Sequence, residues 1–494
     1  MATDKQLNKK FVSASKWASV SQIARKAIQP LVFVILAKLL TPDDFGVVAV
    51  AAMVISLSEY IWDAGLSKAL IYEKENDEVL NNVVFWTNLV LGIVVYLIIF
   101  LFASEISTYF KDPRIENAVK VQGLSVLVFA FASVQRALFQ KALDFKSLFW
   151  VNLLTTTLPA LVSVPLAYLG YGYWALIWSS VVGAIIQAIT LWYYSKWRPA
   201  FRYDWQKLKN IIKFGAWVSG EGVLSWFFIW IDSMFVGHYL GTFDMGLYRT
   251  GNYFVSLIFG ILLGYLLPVV YSTFTKLREK REEFNKYYYS VVKTIVFIAY
   301  PVTFLVFITS NDIEKVVFGT KWHGISEVIM FLVLTHGLSW LVSINRELYR
   351  AIGKPKISTL TSIFSIPLFI VFYYVSVQDG LKMFLYTRFI LAMIMLPIHL
   401  IILGKIAKLS ILKIFIEIKW ILLFIGLFVI VLSGVKYYYI SSIPILNLII
   451  HWIIGMVIYS GIYFIEKDFI LKLVKLLLGE KLYTKFFGKT IMEQ

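Results

Sequence analysis

The chain of 494 residues contains no cysteine, so it has no disulfide, no thiolate metal site and no cysteine nucleophile. Charge is also scarce. Asp, Glu, Lys and Arg make up 16% of the residues against 59% hydrophobic, and the mean hydropathy is +0.74, beyond the range of a soluble globular chain of this size. Enzyme motifs are missing too. There is no glycine-rich phosphate loop with its lysine, no HExxH pair and no metal-ligand spacing.

What the sequence does hold is a succession of apolar runs of about 20 residues, each able to cross a hydrocarbon core of about 30 Å as a helix. In lipid an unpaired backbone group is so costly that such runs must be helical. The pattern predicts an all-α polytopic membrane protein of about fourteen transmembrane helices. A polar N-terminus, 1–14, precedes an N-lobe of six helices, 15–196. A basic, aromatic cytoplasmic linker, 197–209, leads to a C-lobe of six, 210–404. Two more helices fill 405–465, and a basic tail, 466–494, carries apolar residues Phe469, Leu473, Leu476 and Leu477 at helical spacing. The lysine-rich start, Met1 to Lys10, and a first apolar stretch longer than a signal peptide predict no cleaved leader.

The formal charge of +17 is explained by topology. With the first helix running outward, most Lys and Arg fall in cytoplasmic segments, and the external loops keep Lys111, Arg114, Lys315, Lys321 and Lys436. This bias predicts both termini in the cytoplasm, an even helix count and a multi-pass protein of the inner membrane, surrounded by membrane lipids. It argues against a nucleic-acid partner. The outer loops are short, leaving no room for a folded catalytic domain outside the membrane.

A repeat supports two pseudo-symmetric lobes. Ala37 to Leu57 aligns without gaps on Gly237 to Leu257 at an offset of 200 residues, pairing Leu40 with Leu240, Asp44 with Asp244, Gly46 with Gly246, and Ser56-Leu57 with Ser256-Leu257. A weaker match sets the segment at Arg136 against that at Arg346.

Charged residues inside apolar runs cost about 2.5–3.5 kcal/mol each to insert, so they are expected to face a protein interior or an aqueous cavity. In the first helix Gln22, Arg25 and Gln29 share one polar stripe with Lys26 beside it, and Pro30 lies just beyond. Arg249 in the eighth helix and Arg346 in the tenth complete the candidate cationic cavity. Glu59 and Asp63 in the second helix, and Glu221 and Asp232 in the seventh, are candidates for coupling to protons or sodium. Each has a plainer reading as an interfacial or helix-end charge, most strongly for Arg346, which is close enough to the inner end to snorkel. No cofactor is called for.

Several strings resemble a known family: Leu36-Ala-Lys-Leu-Leu-Thr-Pro-Asp-Asp-Phe-Gly-Val, Phe214-Gly-Ala-Trp, Gly246-Leu-Tyr and Val317-Phe-Gly-Thr-Lys-Trp. They resemble the Wzx-like polysaccharide flippases of the multidrug, oligosaccharidyl-lipid and polysaccharide exporter superfamily, in particular the branch exporting colanic or teichuronic acid repeat units. The resemblance implies two six-helix lobes in a V around a central cavity, with two additional C-terminal helices. It also implies a lipid-linked oligosaccharide substrate on undecaprenyl diphosphate, moved by alternating access, with a polysaccharide polymerase or assembly proteins as partners. An anionic head group suits Arg25, Lys26 and Arg249. Other readings are a multidrug exporter, which calls for an acidic or apolar cavity, a peptidoglycan-precursor flippase, and a membrane polymerase or ligase, which calls for a large external loop.

Overall fold

The computed structural model describes residues 17, 20, 26, 28–73, 77–264, 266–438, 441–473 and 475, and among these every regular element is a helix. Twelve helical segments are long and apolar enough to cross a membrane. The two remaining expected spans have different fates. The first is described continuously only over its C-terminal part, Ile28–Leu39 (α1). The eighth is a helix of 22 residues, Thr242–Leu263 (α11), whose first half carries Asp244, Arg249 and Asn252 and is correspondingly less apolar.

The chain divides into two compact units. The first comprises Met1–Thr250, Val317–Trp322 and Tyr373–Leu381. After α1 it contains Pro42–Trp62 (α2), Leu66–Tyr72 (α3), Glu78–Leu101 (α4), Ala103–Phe110 (α5), Arg114–Lys141 (α6), Phe145–Thr157 (α7), Ala160–Tyr168 (α8), Tyr173–Tyr194 (α9), Trp205–Leu240 (α10) and the start of α11. The second comprises Gly251–Val316, His323–Phe372 and Lys382–Gln494. It contains the rest of α11, then Leu266–Leu277 (α12), Arg281–Ile313 (α13), Ile325–Ala351 (α14), Lys356–Val377 (α15, whose last turn lies in the first unit), Leu381–Ile406 (α16), Ile411–Tyr438 (α17) and Pro444–Ser460 (α18).

At the starts of α2, α4, α7 and α10 a polar side chain satisfies free amides of the first turn. Thr41 and Asp44 form a reciprocal capping box at the start of α2, with Pro42 in its first turn. Asp77, Asp144 and Asp204 accept from first-turn amides of α4, α7 and α10. The connections after α2 and α4 hold the short helices α3 and α5, and Asp63 accepts from the amide and hydroxyl of Ser67 in the first turn of α3. Gly220 and Gly222 flank Glu221, a sequence that suggests a bend, yet α10 runs through them unbroken.

Core packing in the first unit joins Leu66 and Leu70 of α3, Val83 and Phe85 of α4, Val134 of α6 and Ile211 of α10. In the second, Leu305 and Ile308 of α13 pack with Phe428 and Leu432 of α17. The outward faces are apolar instead of polar. Phe364 of α15 is 76% exposed, Leu412 and Ile430 of α17 are both 71% exposed, and Leu161 of α8 is 67% exposed. Such faces are stable only against lipid. The tail begins with Phe469 packed on Phe297 of α13 and an ion pair of 2.7 Å between Glu466 and Lys293. Leu476 and Leu477 of the expected amphipathic stripe lie outside the described residues.

Candidate functional site

Three constellations stand out in the first unit. One is at the start of α2 and α11, the segments related by the 200-residue offset. A Cβ added at Gly46 would overlap the carbonyl oxygen of Thr242, and one added at Gly246 would overlap that of Pro42. The same offset that relates Gly46 to Gly246 relates Pro42 to Thr242, so the two copies of the repeat touch each other reciprocally, backbone on backbone. Only glycine permits so close an approach.

Polar contacts surround this crossing. The Arg114 guanidinium donates to Asp112 at 2.7 and 3.0 Å and to Asp43 at 3.3 Å, while the Thr242 hydroxyl lies 2.9 Å from Asp112 and 3.1 Å from Asp43. Burial alone pushes the Asp112 carboxyl up, but the hydrogen bonds and charge of Arg114, with the Thr242 hydroxyl, hold it below the usual carboxylate range. A carboxyl depressed by folding stabilises the fold above its unfolded pKa of about 3.9, and that contribution is lost as pH falls through the folded value. Thermal stability of the wild-type protein should therefore drop more steeply below about pH 4 than that of Asp112→Asn. Melting curves in detergent between pH 5 and pH 3 test this, and parallel curves for the two would contradict it.

The Val317-Phe-Gly-Thr-Lys-Trp string, singled out by resemblance alone, acquires a physical role here. The last carbonyls of α1 have no partner within the helix. Trp322 donates its indole N–H to the carbonyl of Ala37 at 2.6 Å, and Lys321 donates to that of Leu39 at 2.9 Å. Trp322 is fully buried, edge-on to Phe45 and tilted against Phe318. Trp322→Ala should cost about 3–5 kcal/mol, visible as a large fall in melting temperature. A change of less than a degree would contradict this role.

The second constellation holds Arg249 and Asp232. The Arg249 guanidinium lies 3.8 Å from the centre of the Trp230 ring, and its Nη1 reaches the Ser233 hydroxyl at 3.4 Å. Asp232 is 6% exposed and accepts from the Tyr248 hydroxyl at 2.7 Å and from the Ser233 amide and hydroxyl. Stacking uses the face of a guanidinium and leaves its edge N–H groups for hydrogen bonds. The arrangement is a rigidly posed cation in a membrane-embedded setting.

The third is a pocket of about 340 Å³ at the C-terminal end of α2, lined in part by Glu59, Asp63, Lys68, Arg136, Gln140 and Gln187. Phe129, Ser133, Arg136 and Gln140 share one face of α6. Asp63 is committed locally, accepting from Ser67 and, at 3.3 Å, from Asn88.

The expected site residues thus meet in two pairs, Arg249 with Asp232 and Glu59 with Asp63. Gln22 and Arg25 lie outside the described residues. Lys26 is half-buried, Gln29 is exposed on α1, Glu221 is exposed on α10, and Arg346 is exposed on α14 of the second unit. Trp230, Tyr248, Lys68, Arg136, Gln140 and Gln187 were not among the expected residues. The signal for Arg136 was present, since the weaker repeat match aligns it with Arg346 and it sits inside an apolar run.

Residues 35–327 match the family model described as polysaccharide biosynthesis protein. The chain is 25% identical over 323 residues to the succinoglycan biosynthesis transport protein ExoT of Rhizobium meliloti (strain 1021), covering 65% of each chain, just under two thirds of that relative. It is 22% identical to the lipopolysaccharide biosynthesis protein WzxC of Escherichia coli (strain K12), over 71% of this chain and 69% of the other. It is 21% identical to the teichuronic acid biosynthesis protein TuaB of Bacillus subtilis (strain 168), over 70% and 72%. Among solved structures, the fold is similar to the lipid II flippase MurJ in an inward closed conformation, with a TM-score of 0.76 at 14% identity, covering 92% of this chain and 99% of that one. A MATE family multidrug resistance transporter of the MOP superfamily, inward-facing, follows at 0.59 and 14% identity, covering 78% and 99%. On the match across residues 35–327, this multi-pass membrane protein belongs to the polysaccharide biosynthesis protein family.

Proposed function

We propose that the chain is a flippase that carries undecaprenyl-diphosphate-linked oligosaccharide repeat units across the inner membrane for surface polysaccharide synthesis. The observation that carries this reading is where the family match falls. Residues 35–327 consist almost wholly of membrane-spanning helices with short connections. A polysaccharide biosynthesis protein built this way has no extramembrane domain in that stretch on which to polymerise or ligate sugars. Moving an intermediate through the membrane is the step such a body can perform.

In this proposal both termini are cytoplasmic, and Arg249, with Lys26 and Arg25 of the first helix, meets the diphosphate. A guanidinium posed on Trp230 favours an anionic head over the cationic cargo of a multidrug exporter. The crossing of Gly46 and Gly246 is the outer gate, which separates when the site turns outward. Of the four carboxylates expected to couple ions, Asp63 and Asp232 accept local hydrogen bonds and Glu59 lines the pocket at the end of α2, which leaves Glu221 for that role.

Deleting the gene should leave the lipid-linked intermediate accumulating on the cytoplasmic leaflet while its synthesis continues. Leaflet-resolved labelling of the intermediate tests this. Cells that stop making the intermediate, or that display it outside at the normal rate, would contradict the proposal.

A further inference from the structure

The pocket at the C-terminal end of α2 has chemistry that recognition of a diphosphate does not use. Its apolar wall is formed by Trp62, 4% exposed, and Phe129. Around that wall stand the carboxylate of Glu59, the guanidinium of Arg136 and the amides of Gln140 and Gln187. Each is a planar group able to make two hydrogen bonds side by side: the carboxylate by accepting, the guanidinium by donating, each amide by doing one of each.

Charge narrows the ligand. The lining includes two acids, Glu59 and Asp63, and two bases, Lys68 and Arg136. A phosphate would be opposed by the first pair and a metal cation by the second. A neutral ligand rich in adjacent hydroxyls is opposed by neither. A sugar ring has that surface, with vicinal hydroxyls around its edge matching planar bidentate groups, and C–H bonds on its face suited to an aromatic wall. The volume of about 340 Å³ is near the lower end for small-molecule sites, right for one or two rings and too small for a long repeat unit.

We propose that this pocket binds a pyranose ring of the oligosaccharide cargo, an inference that rests on the transport reading above and gives it a sugar subsite separate from the cation at Arg249. Glu59 and Arg136 hold the ring's hydroxyls, and Trp62 and Phe129 carry its apolar face.

The test uses the full chain in lipid nanodiscs and a panel of methyl glycosides of glucose, galactose, N-acetylglucosamine and glucuronic acid, with saturation-transfer NMR as the readout. At least one glycoside should give a saturable signal, weakened at least tenfold by Glu59→Gln and by Gln187→Ala and unchanged by Glu279→Gln in the α12–α13 connection of the second unit. Melting temperatures identify any variant that fails to fold, and the milder Gln140→Ala, expected to weaken binding about threefold, stands in for it. No saturable signal from any glycoside, or one that these variants leave intact, overturns the subsite. Failure of the transport reading looks different: the wild-type chain binds a glycoside yet moves no lipid-linked oligosaccharide in vesicles.

Discussion

Replacing Gly46 with valine is expected to open the crossing between α2 and α11 and to lower transport at least fivefold. The atom that a Cβ would meet is the backbone carbonyl oxygen of Thr242, which cannot rotate away as a side chain can. Relief requires the two helices to part. Overpacking of this kind costs about 1–3 kcal/mol, and each 1.4 kcal/mol is a factor of about ten in an equilibrium. The closed arrangement should therefore lose about five- to 150-fold in population. Because the two contacts are reciprocal, Gly246→Val should produce the same result through Pro42. Gly426→Ala, where an added Cβ meets nothing within 4 Å, should change neither closure nor transport.

The absence of cysteine makes this measurable. Val50 on α2 is fully buried, and Val50→Cys should react slowly with a membrane-impermeant maleimide added from outside. In combination with Gly46→Val or Gly246→Val, labelling should quicken at least fivefold. Equal labelling rates with and without the valine would show that the glycines do not hold the crossing closed.

The second large effect is expected at Arg249. Arg249→Gln should abolish flipping, and Arg249→Lys should leave only part of the activity. Lysine keeps the charge but lacks the flat face that lies 3.8 Å from the centre of the Trp230 ring, and it offers a point charge where a fork of donors is needed. Removing one partner of a buried charge arrangement also strands the other, here Asp232, at a cost of about 3–5 kcal/mol. Arg249→Gln combined with Asp232→Asn should recover folding stability without recovering transport. If the double variant transports normally, Arg249 serves only to neutralise Asp232.

The helical spans were legible because lipid leaves one solution for backbone polar groups, so hydropathy alone fixes where helices run. The offset of 200 residues was legible as well, through Leu40, Asp44 and Gly46 and their counterparts. That the two glycines meet each other's repeat is a fact of tertiary packing, and no local pattern encodes it. The eighth helix shows the limit of hydropathy, because Asp244, Arg249 and Asn252, the residues that make it interesting, also make its first half less apolar. Asp63 was singled out because its place in an apolar run is visible in the sequence, whereas its hydrogen bonds to Ser67 in the first turn of α3 are not. Arg249 was singled out for the same reason and Trp230 was not, since one more tryptophan among 16 carries no signal until it lies under a guanidinium.

The account stands most directly on movement of the cargo itself. The purified chain, reconstituted in vesicles containing undecaprenyl-diphosphate-linked oligosaccharide, should expose sugar in the opposite leaflet to a membrane-impermeant glycosidase at a rate that rises with protein content and collapses with Arg249→Gln. Exposure no faster than in protein-free vesicles, or equally fast with Arg249→Gln, would contradict it.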